Sequence, residues 1–364
     1  MTENKTLFIK PNHLGNSTPK LDAEIVKLNK SKNIETTLVL DNNVLVKMER
    51  VVKDGNEWSS VKKHCLDNLV ELLKDCPPYS ICLSPAFALN EMPPQNAQSA
   101  KDAYELFCAK HLPNFVDTPN STTHSYSGKN ENYGFDDLAL RTQKVLSIPY
   151  LNFLYLNYIY KFFNGSPIEK FKAYVDLLDQ KVDLLSATEI EIAKYCFCDL
   201  TKITDEDAKR LVKDIRNNSV KIEKKRPKPP ENLAEFQKVA FNAACDIHLL
   251  HAANAMDGKF LDGVKQDCWV TTLDKKLASF SNFFHQLSID GELQPYSVSA
   301  APEMIQDQEY WNLAHEYFSL KSLSRRKHHL SRSIDFDKLL STIDDAILQI
   351  TQAFENSKIN NIYK

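Results

Sequence analysis

Short apolar runs alternate with helical periodicity in the first hundred residues. Residues 36–40 form a β-branched and apolar run that ends at Asp41, which predicts a buried strand with a carboxylate at its end. Residues 58–74 carry apolar side chains at helical spacing, and residues 79–83 form a second apolar run before another helix start. Strands and helices that alternate in this way favour an α/β fold with a parallel sheet.

The pattern is mainly helical from about residue 96 to 232, with apolar side chains three and four positions apart. A Lys- and Pro-rich segment, residues 221–230, indicates a linker near its end. Helical periodicity returns at Leu233, a strand is predicted at 268–273, and residues 303–357 are helical again. We therefore predict four segments: the first part of a core at 1–95, a helical insertion at 96–232, the second part of the core at 233–300, and a helical C-terminal extension at 301–364.

Composition adds few constraints to this picture. A chain of 364 residues with 43% hydrophobic and 26% charged residues can bury a full core and further elements. Its net charge of -3 gives no overall attraction to nucleic acid, so a polyanion would need local basic patches or cations. The eight cysteines lack zinc-knuckle spacing, which predicts reduced and mostly buried thiols.

The apolar runs do not have the length of targeting or membrane segments. The first ten residues lack the apolar stretch of a secretory signal, and the longest apolar run, residues 148–163, is interrupted by polar residues. We interpret that run as a buried helix. A cytoplasmic protein without a membrane partner is therefore expected.

Four acidic residues stand at or near predicted strand ends and helix starts: Asp41, Glu91, Asp246 and Asp274. In open parallel sheets, ligands bind in the crevice beyond the carboxyl ends of the strands. Carboxylates that crowd together there need a cation to remain ionised, and hard oxygen ligands select Mg²⁺ or Mn²⁺. The pattern predicts a divalent metal site.

The first half of this set resembles the PIN-like nucleases. In that family an Asp ends the first strand and is followed two positions later by Asn or a small residue, as Asp41 is by Asn43 here. An acid on an early helix after the second strand corresponds to Glu91. The resemblance begins at about residue 36 and continues to about residue 95.

The second half of the resemblance covers about residues 233–290. An Asp beside an alanine-rich helix corresponds to Asp246, and a last strand that runs into Ser/Thr-x-Asp corresponds to Thr272 and Asp274. The segment between Glu91 and residue 233 is far longer than in a compact PIN core. An inserted helical region is implied.

The resemblance implies a PIN-like, Rossmann-type three-layer core with a metal-dependent nuclease site. Asp41, Glu91 and Asp246 would hold Mg²⁺ or Mn²⁺, and Asp274 would complete the site directly or through water. The implied supporting residues are Asn43, Thr272 and His248. The implied activity is hydrolysis of phosphodiester bonds, with an endoribonuclease of toxin, defence or RNA-processing type preferred and DNA as the alternative substrate.

Basic residues are candidates for phosphate contacts, because lysine and arginine release condensed counterions when they bind a polyanion. The candidates are Lys275, Arg325, Arg326, Lys327 and Arg332.

Two alternatives remain open. His248 and His251 lie three residues apart on a predicted helix and could hold zinc with Asp246, although the His-Glu-x-x-His pattern is lacking. A non-catalytic PIN-like or helical protein-interaction module with structural acids would also carry these residues. An inhibitor or complex partner protein, and a homo-oligomer, are compatible with either class.

Overall fold

The computed structural model describes residues 5–11, 19–115, 133–222, 227–281, 284–289, 292–299, 301–306, 308–329 and 334–362. The chain divides into two compact units. The first comprises Met1–Tyr133 and Leu249–Val298, and the second comprises Gly134–His248 and Ser299–Lys364.

Helices predominate over strands in the described residues. The strands are β1 (Leu7–Ile9), β2 (Ile34–Leu40), β3 (Ile81–Ser84), β4 (Phe260–Leu261), β5 (Val264–Thr272), β6 (Phe284–Ile289) and β7 (Glu292–Ser299). The helices are α1 (Ala23–Ser31), α2 (Asn42–Lys53), α3 (Trp58–Lys63), α4 (Asp67–Asp75), α5 (Ala86–Asn90), α6 (Pro94–His111), α7 (Leu140–Phe162), α8 (Pro167–Leu177), α9 (Ala187–Phe197), α10 (Glu206–Val220), α11 (Leu233–Met256), α12 (Lys275–Ser281), α13 (Glu303–Gln306), α14 (Glu309–His329) and α15 (Phe336–Ile362).

A mixed sheet forms the centre of the first unit. Its strand order is β1-β5-β2-β3, and β4 also pairs with β5. β2 is parallel to both β3 and β5, whereas the short strands β1 and β4 run antiparallel to β5. The parallel centre and the flanking helices agree with the expected α/β class. The antiparallel additions were not predicted, because runs of two or three residues leave little periodicity to detect.

The core of the first unit lies on the central strand. Leu38 and Leu40 of β2 are fully buried and pack in one apolar cluster with Val44, Leu45 and Met48 of α2. These α2 positions fall three or four residues apart, so one stripe of the helix faces the sheet. Burying each such side chain stabilises the fold by about 1.5–3 kcal/mol. The cluster fixes β2 and α2, and with them the position of the residue that joins them.

The predicted helix over residues 58–74 is two helices, α3 and α4. Cys65 between them has φ +63°, and the Leu66 N–H donates to the Val61 carbonyl at 3.1 Å. A left-handed residue with such a bond is a common helix C-terminus. Apolar spacing continues across this break, which is why the sequence pattern did not reveal it.

The second unit is helical in its described part. α7, which includes Pro149, is buried along residues 149–157, which confirms the buried helix expected there. Phe354 of α15 packs edge-on against Phe162 of α7, with ring centroids 5.0 Å apart. α11 is continuous through Asp246.

All eight cysteines are free thiols, and six of them are buried. No helix among the described residues is both long enough and apolar enough to cross a membrane.

Candidate active site

Asp41 lies where β2 ends and α2 begins. Its N–H donates to the Thr271 carbonyl at 2.9 Å, which continues the β2–β5 pairing by one residue. Its side chain is directed inward and is only 7% exposed. Thr272 Oγ1 and Asn43 Nδ2 both donate to Asp41 Oδ2, each at 2.5 Å. The carboxylate is therefore held in one orientation by neutral donors.

Asp274 is tied to the same network from the end of β5. The Asp274 N–H donates to Thr272 Oγ1 at 2.9 Å, and the Leu273 N–H donates to Asn43 Oδ1 at 2.9 Å. Asp274 Oδ1 accepts from the Lys276 N–H at 2.7 Å and so caps α12. Asp41, Asn43, Thr272 and Asp274 form one hydrogen-bonded group, which we call the carboxylate network.

The strand order explains why this group forms at this place. From β2 the chain passes to β3 on one side, and it later returns on the other side as β5. Leu40 is in register with Thr271 in the parallel pair, so the carboxyl ends of both strands meet. A crevice between strands whose connections leave in opposite directions is the usual ligand site of open α/β sheets.

Burial makes the ionised form of Asp41 unfavourable. It raises the pKa of this carboxyl to about 6, and the nearby charge of Asp274 acts in the same direction. The hydrogen bond from Thr272 and those from the backbone at Asn43 and Asn42 oppose the rise. A carboxylate in this state gains more from a cation than an exposed one does, because the cation replaces the lost hydration.

Glu91 lies in the first unit and directly follows α5. This helix packs against both β2 and α2, and Glu91 itself is half-buried. The structure therefore places Glu91 at the end of a helix that adjoins β2. Glu91 is not one of the four residues whose hydrogen bonds define the carboxylate network.

Asp246 and His248 belong to the part of α11 that is counted with the second unit. Asn218 Nδ2 of α10 donates to Asp246 Oδ2 at 2.8 Å. Burial lowers the pKa of His248, which favours its neutral form. Within the second unit, the Asp246 carboxylate is bonded to a helix-borne amide.

The candidate phosphate contacts have different environments. Lys275 is exposed and directly follows Asp274. Arg325 is bonded to acids of its own unit, with Nη1 2.6 Å from Asp179 Oδ1 and Nη2 3.0 Å from Asp183 Oδ1. The side chains of Arg326 and Lys327, and the whole of Arg332, lie outside the described residues.

The carboxylate network has donors suited to Mg²⁺ or Mn²⁺. Both ions prefer oxygen ligands, and Mg²⁺ commonly takes one or two protein carboxylates and completes its shell with water and phosphate. Asp41 and Asp274 supply two carboxylates at one sheet edge. Across the residues that the structure describes, no group of three or more His, Cys, Asp or Glu side chains is arranged to hold a metal. The carboxylate network therefore suits an ion that keeps much of its hydration shell when bound.

The chain was also compared with known proteins. It matches no protein-family model, and neither the curated proteins nor the solved structures include a significant match.

Proposed function

We propose that this chain is a metal-dependent nuclease of PIN-like type, with its reaction centre at Asp41 and Asp274. The observation that carries the proposal is the buried Asp41 carboxylate, which lies beside a second carboxylate where β2 and β5 end. RNA is the preferred substrate and DNA the alternative. The PIN-like assignment and the choice of RNA rest on the resemblance of the sequence motifs.

The protein residues would bind and orient the reactants. Asp41 and Asp274 would hold Mg²⁺ or Mn²⁺, which supplies neutralisation of the phosphate and activation of water. Thr272 donates to Asp41 and accepts from the Asp274 N–H, so one hydroxyl fixes the spacing of both acids. Lys275 is exposed next to Asp274 and would contact a neighbouring phosphate.

Burial of Asp41 would serve the chemistry in two ways. It excludes water from one side of the acid, and it strengthens the attraction between the carboxylate and a cation. It also makes metal binding compete with protonation, because the pKa of Asp41 is raised to about 6. We therefore expect activity to fall as the pH drops below about 6.

The test is cleavage of single-stranded RNA, structured RNA and DNA in Mg²⁺ or Mn²⁺, with EDTA as the blank. Asp41→Asn and Asp274→Asn should each reduce cleavage at least a hundredfold, since an amide keeps the shape but removes the anionic ligand. Asp75→Asn, at an exposed acid at the end of α4, is the matched control and should cleave as wild type does. Glu91→Gln and Asp246→Asn test whether those acids are further ligands.

A second candidate function is a non-catalytic protein-interaction module. One surface of the second unit supports it. Leu313, Leu320 and Leu323 of α14 are 37%, 60% and 55% exposed, and their spacing of seven and three residues puts them on one helix face. Exposed apolar stripes often mark contact surfaces. Wild type that is inert on every nucleic acid, and that self-associates through this stripe, would favour this candidate.

A further inference from the structure

Three side chains of the first unit, Trp58, Lys62 and Lys74, meet outside the carboxylate network, and we call them the tryptophan–lysine cluster. Trp58 begins α3, Lys62 lies one turn later, and Lys74 lies in the last turn of α4. The Nζ atoms of Lys62 and Lys74 lie 5.7 Å and 4.7 Å from the centroid of the Trp58 ring. Both distances fall within the roughly 6 Å reach of a cation–π contact.

The ring is anchored, and the cations remain accessible to solvent. Trp58 is half-buried and packs against the apolar core of the first unit. Lys62 and Lys74 are exposed. A fixed aromatic face therefore positions two ammonium groups that would otherwise sample many rotamers.

The two lysines of the cluster differ from neighbouring lysines in their ion pairs. In the part of the chain that the structure describes, neither Lys62 nor Lys74 forms an ion pair. Nearby lysines do: Lys63 lies 2.7 Å from Asp54, and Lys110 lies 2.7 Å from Glu57. Two cations near one ring carry like charge, and a bound anion would lower their mutual repulsion.

We propose that the Trp58–Lys62–Lys74 cluster is a binding surface for single-stranded RNA, separate from the reaction centre. The two ammonium groups would move from the ring to backbone phosphates, and the indole face that they leave would stack on a base. Charge and an aromatic face together favour a nucleic acid strand over an acidic peptide, which offers no planar bases. Only the choice of RNA rests on the proposed function.

The position of the cluster implies a minimum strand length. α2 starts directly after Asp41, and its 12 residues at about 1.5 Å each lead about 18 Å away. The cluster follows on α3 and α4, in the connection that returns the chain to β3. At about 3.4 Å per nucleotide, about five nucleotides would cover the length of α2. Strands of about six or more nucleotides would thus engage both places.

The experiment measures binding alone, in EDTA, by fluorescence anisotropy of a labelled 12-nucleotide RNA. The variant Lys62→Ala/Lys74→Ala should bind about tenfold more weakly, and its slope of log affinity against log salt should fall by about 1.4, since each lost phosphate contact removes about 0.7. The matched control is Lys63→Ala/Lys110→Ala, which removes the same charge from ion-paired lysines. It should keep both the affinity and the slope of wild type.

Further arms separate this surface from general charge effects and from the reaction centre. Because binding is measured in EDTA and without cleavage, a protein that proves inactive as a nuclease would leave the binding result intact. Lys62→Arg/Lys74→Arg should retain the affinity, and wild type should favour the 12-nucleotide strand over a 4-nucleotide one. Equal losses in the two double-alanine variants would overturn the proposal. So would displacement of RNA by polyglutamate or anionic vesicles at equal charge concentration.

Discussion

A single hydroxyl group joins the two acids of the candidate site. Thr272 is fully buried, donates to Asp41 and accepts from both the Asp274 N–H and Asn43. The sequence motif Thr-x-Asp indicated that these residues belong together, but it could not show that one oxygen connects them. The connection arises because parallel pairing places Thr271 and Thr272 beside Leu40 and Asp41.

Replacing Asp41 by asparagine should stabilise the metal-free protein at high pH. The folded carboxyl has a pKa of about 6 against an ordinary 3.8, so the folded state binds the proton more tightly than the unfolded state. The contribution of Asp41 to stability is therefore greatest below about pH 4 and falls as the pH rises through 6, by about 3 kcal/mol at most. We expect Asp41→Asn to melt at a higher temperature than wild type at pH 8.

The melting curves should be compared at pH 4 and pH 8 in EDTA. At pH 4 the wild-type carboxyl is already protonated, so most of the difference between the two proteins should vanish. Asp75→Asn at an exposed acid serves as the control. An Asp41→Asn variant that is less stable than wild type at pH 8 would contradict the raised pKa.

Replacing Thr272 by valine should weaken both the fold and the metal site. The change leaves the buried Asp41 carboxylate and the Asp274 N–H each short of a partner, which costs about 1–3 kcal/mol. Since this hydrogen bond lowers the pKa of Asp41, its loss should also shift the acid limb of Mn²⁺ binding to higher pH. Binding followed by calorimetry between pH 5 and 8 measures the shift.

Thr272→Ser is the matched control for that change, because it keeps the hydroxyl and removes only a methyl group. The serine variant should retain the wild-type pH dependence. If valine and serine shift the limb equally, the methyl group and not the hydroxyl would govern the site.

Helices and strands were predicted unevenly, for identifiable reasons. β2 and the end of β5 were evident because β-branched and apolar runs stop at polar turns, and α7 because its apolar run is long. The α3–α4 break, β1 and β4 were missed, since each depends on a left-handed residue or on pairing with a distant strand. The tryptophan–lysine cluster was missed as well. Its lysines come from two helices and meet only in the fold.

The basic run of α14 illustrates how tertiary contacts change the meaning of a charge pattern. The sequence suggested phosphate contacts for Arg325, yet its guanidinium bonds Asp179 and Asp183 and also the Asp183 carbonyl. Lys321 of the same helix lies 2.8 Å from Asp176. Asp176 belongs to α8, Asp179 to the π-helical turn that follows it (Leu178–Val182), and Asp183 directly follows that turn, so the contacts fasten α14 to α8 and the turn.

We therefore expect Arg325→Gln to affect the stability of the protein more than its affinity for RNA. Its ion pairs are partly buried, with side chains about one-fifth exposed, so their loss should cost about 1–2 kcal/mol of unfolding free energy. Arg210→Gln, which breaks an exposed pair with Asp207 on α10, should cost close to nothing. Urea unfolding of both variants measures this, and equal stability would show that the α14 contact is not stabilising.

The candidate functional residues are distributed unevenly between the two units. The sheet, the carboxylate network and the tryptophan–lysine cluster all belong to the first unit, whereas Asp246 is counted with the helical second unit. The sequence predicted a helical insertion from residue 96, but α6 packs against α2 within the first unit. Helical periodicity alone cannot show which sheet or bundle a helix will join.

Replacing residues 134–222 by a short flexible linker should preserve metal binding at the carboxylate network. None of Asp41, Asn43, Thr272 and Asp274 lies in that segment, and the described hydrogen bonds that hold them come from residues of the first unit. The replaced segment carries α7 to α10, so the remaining helices of the second unit will expose apolar surface, and a solubility tag should be retained. Mn²⁺ affinity, measured by calorimetry on the folded and monodisperse product, should stay within about threefold of wild type.

The same replacement with Asp41→Asn provides the control, since it should bind Mn²⁺ at least tenfold more weakly. A folded product without affinity for Mn²⁺ would mean that the helical segment supplies or holds a ligand, with Asn218, which donates to Asp246, as the first residue to substitute.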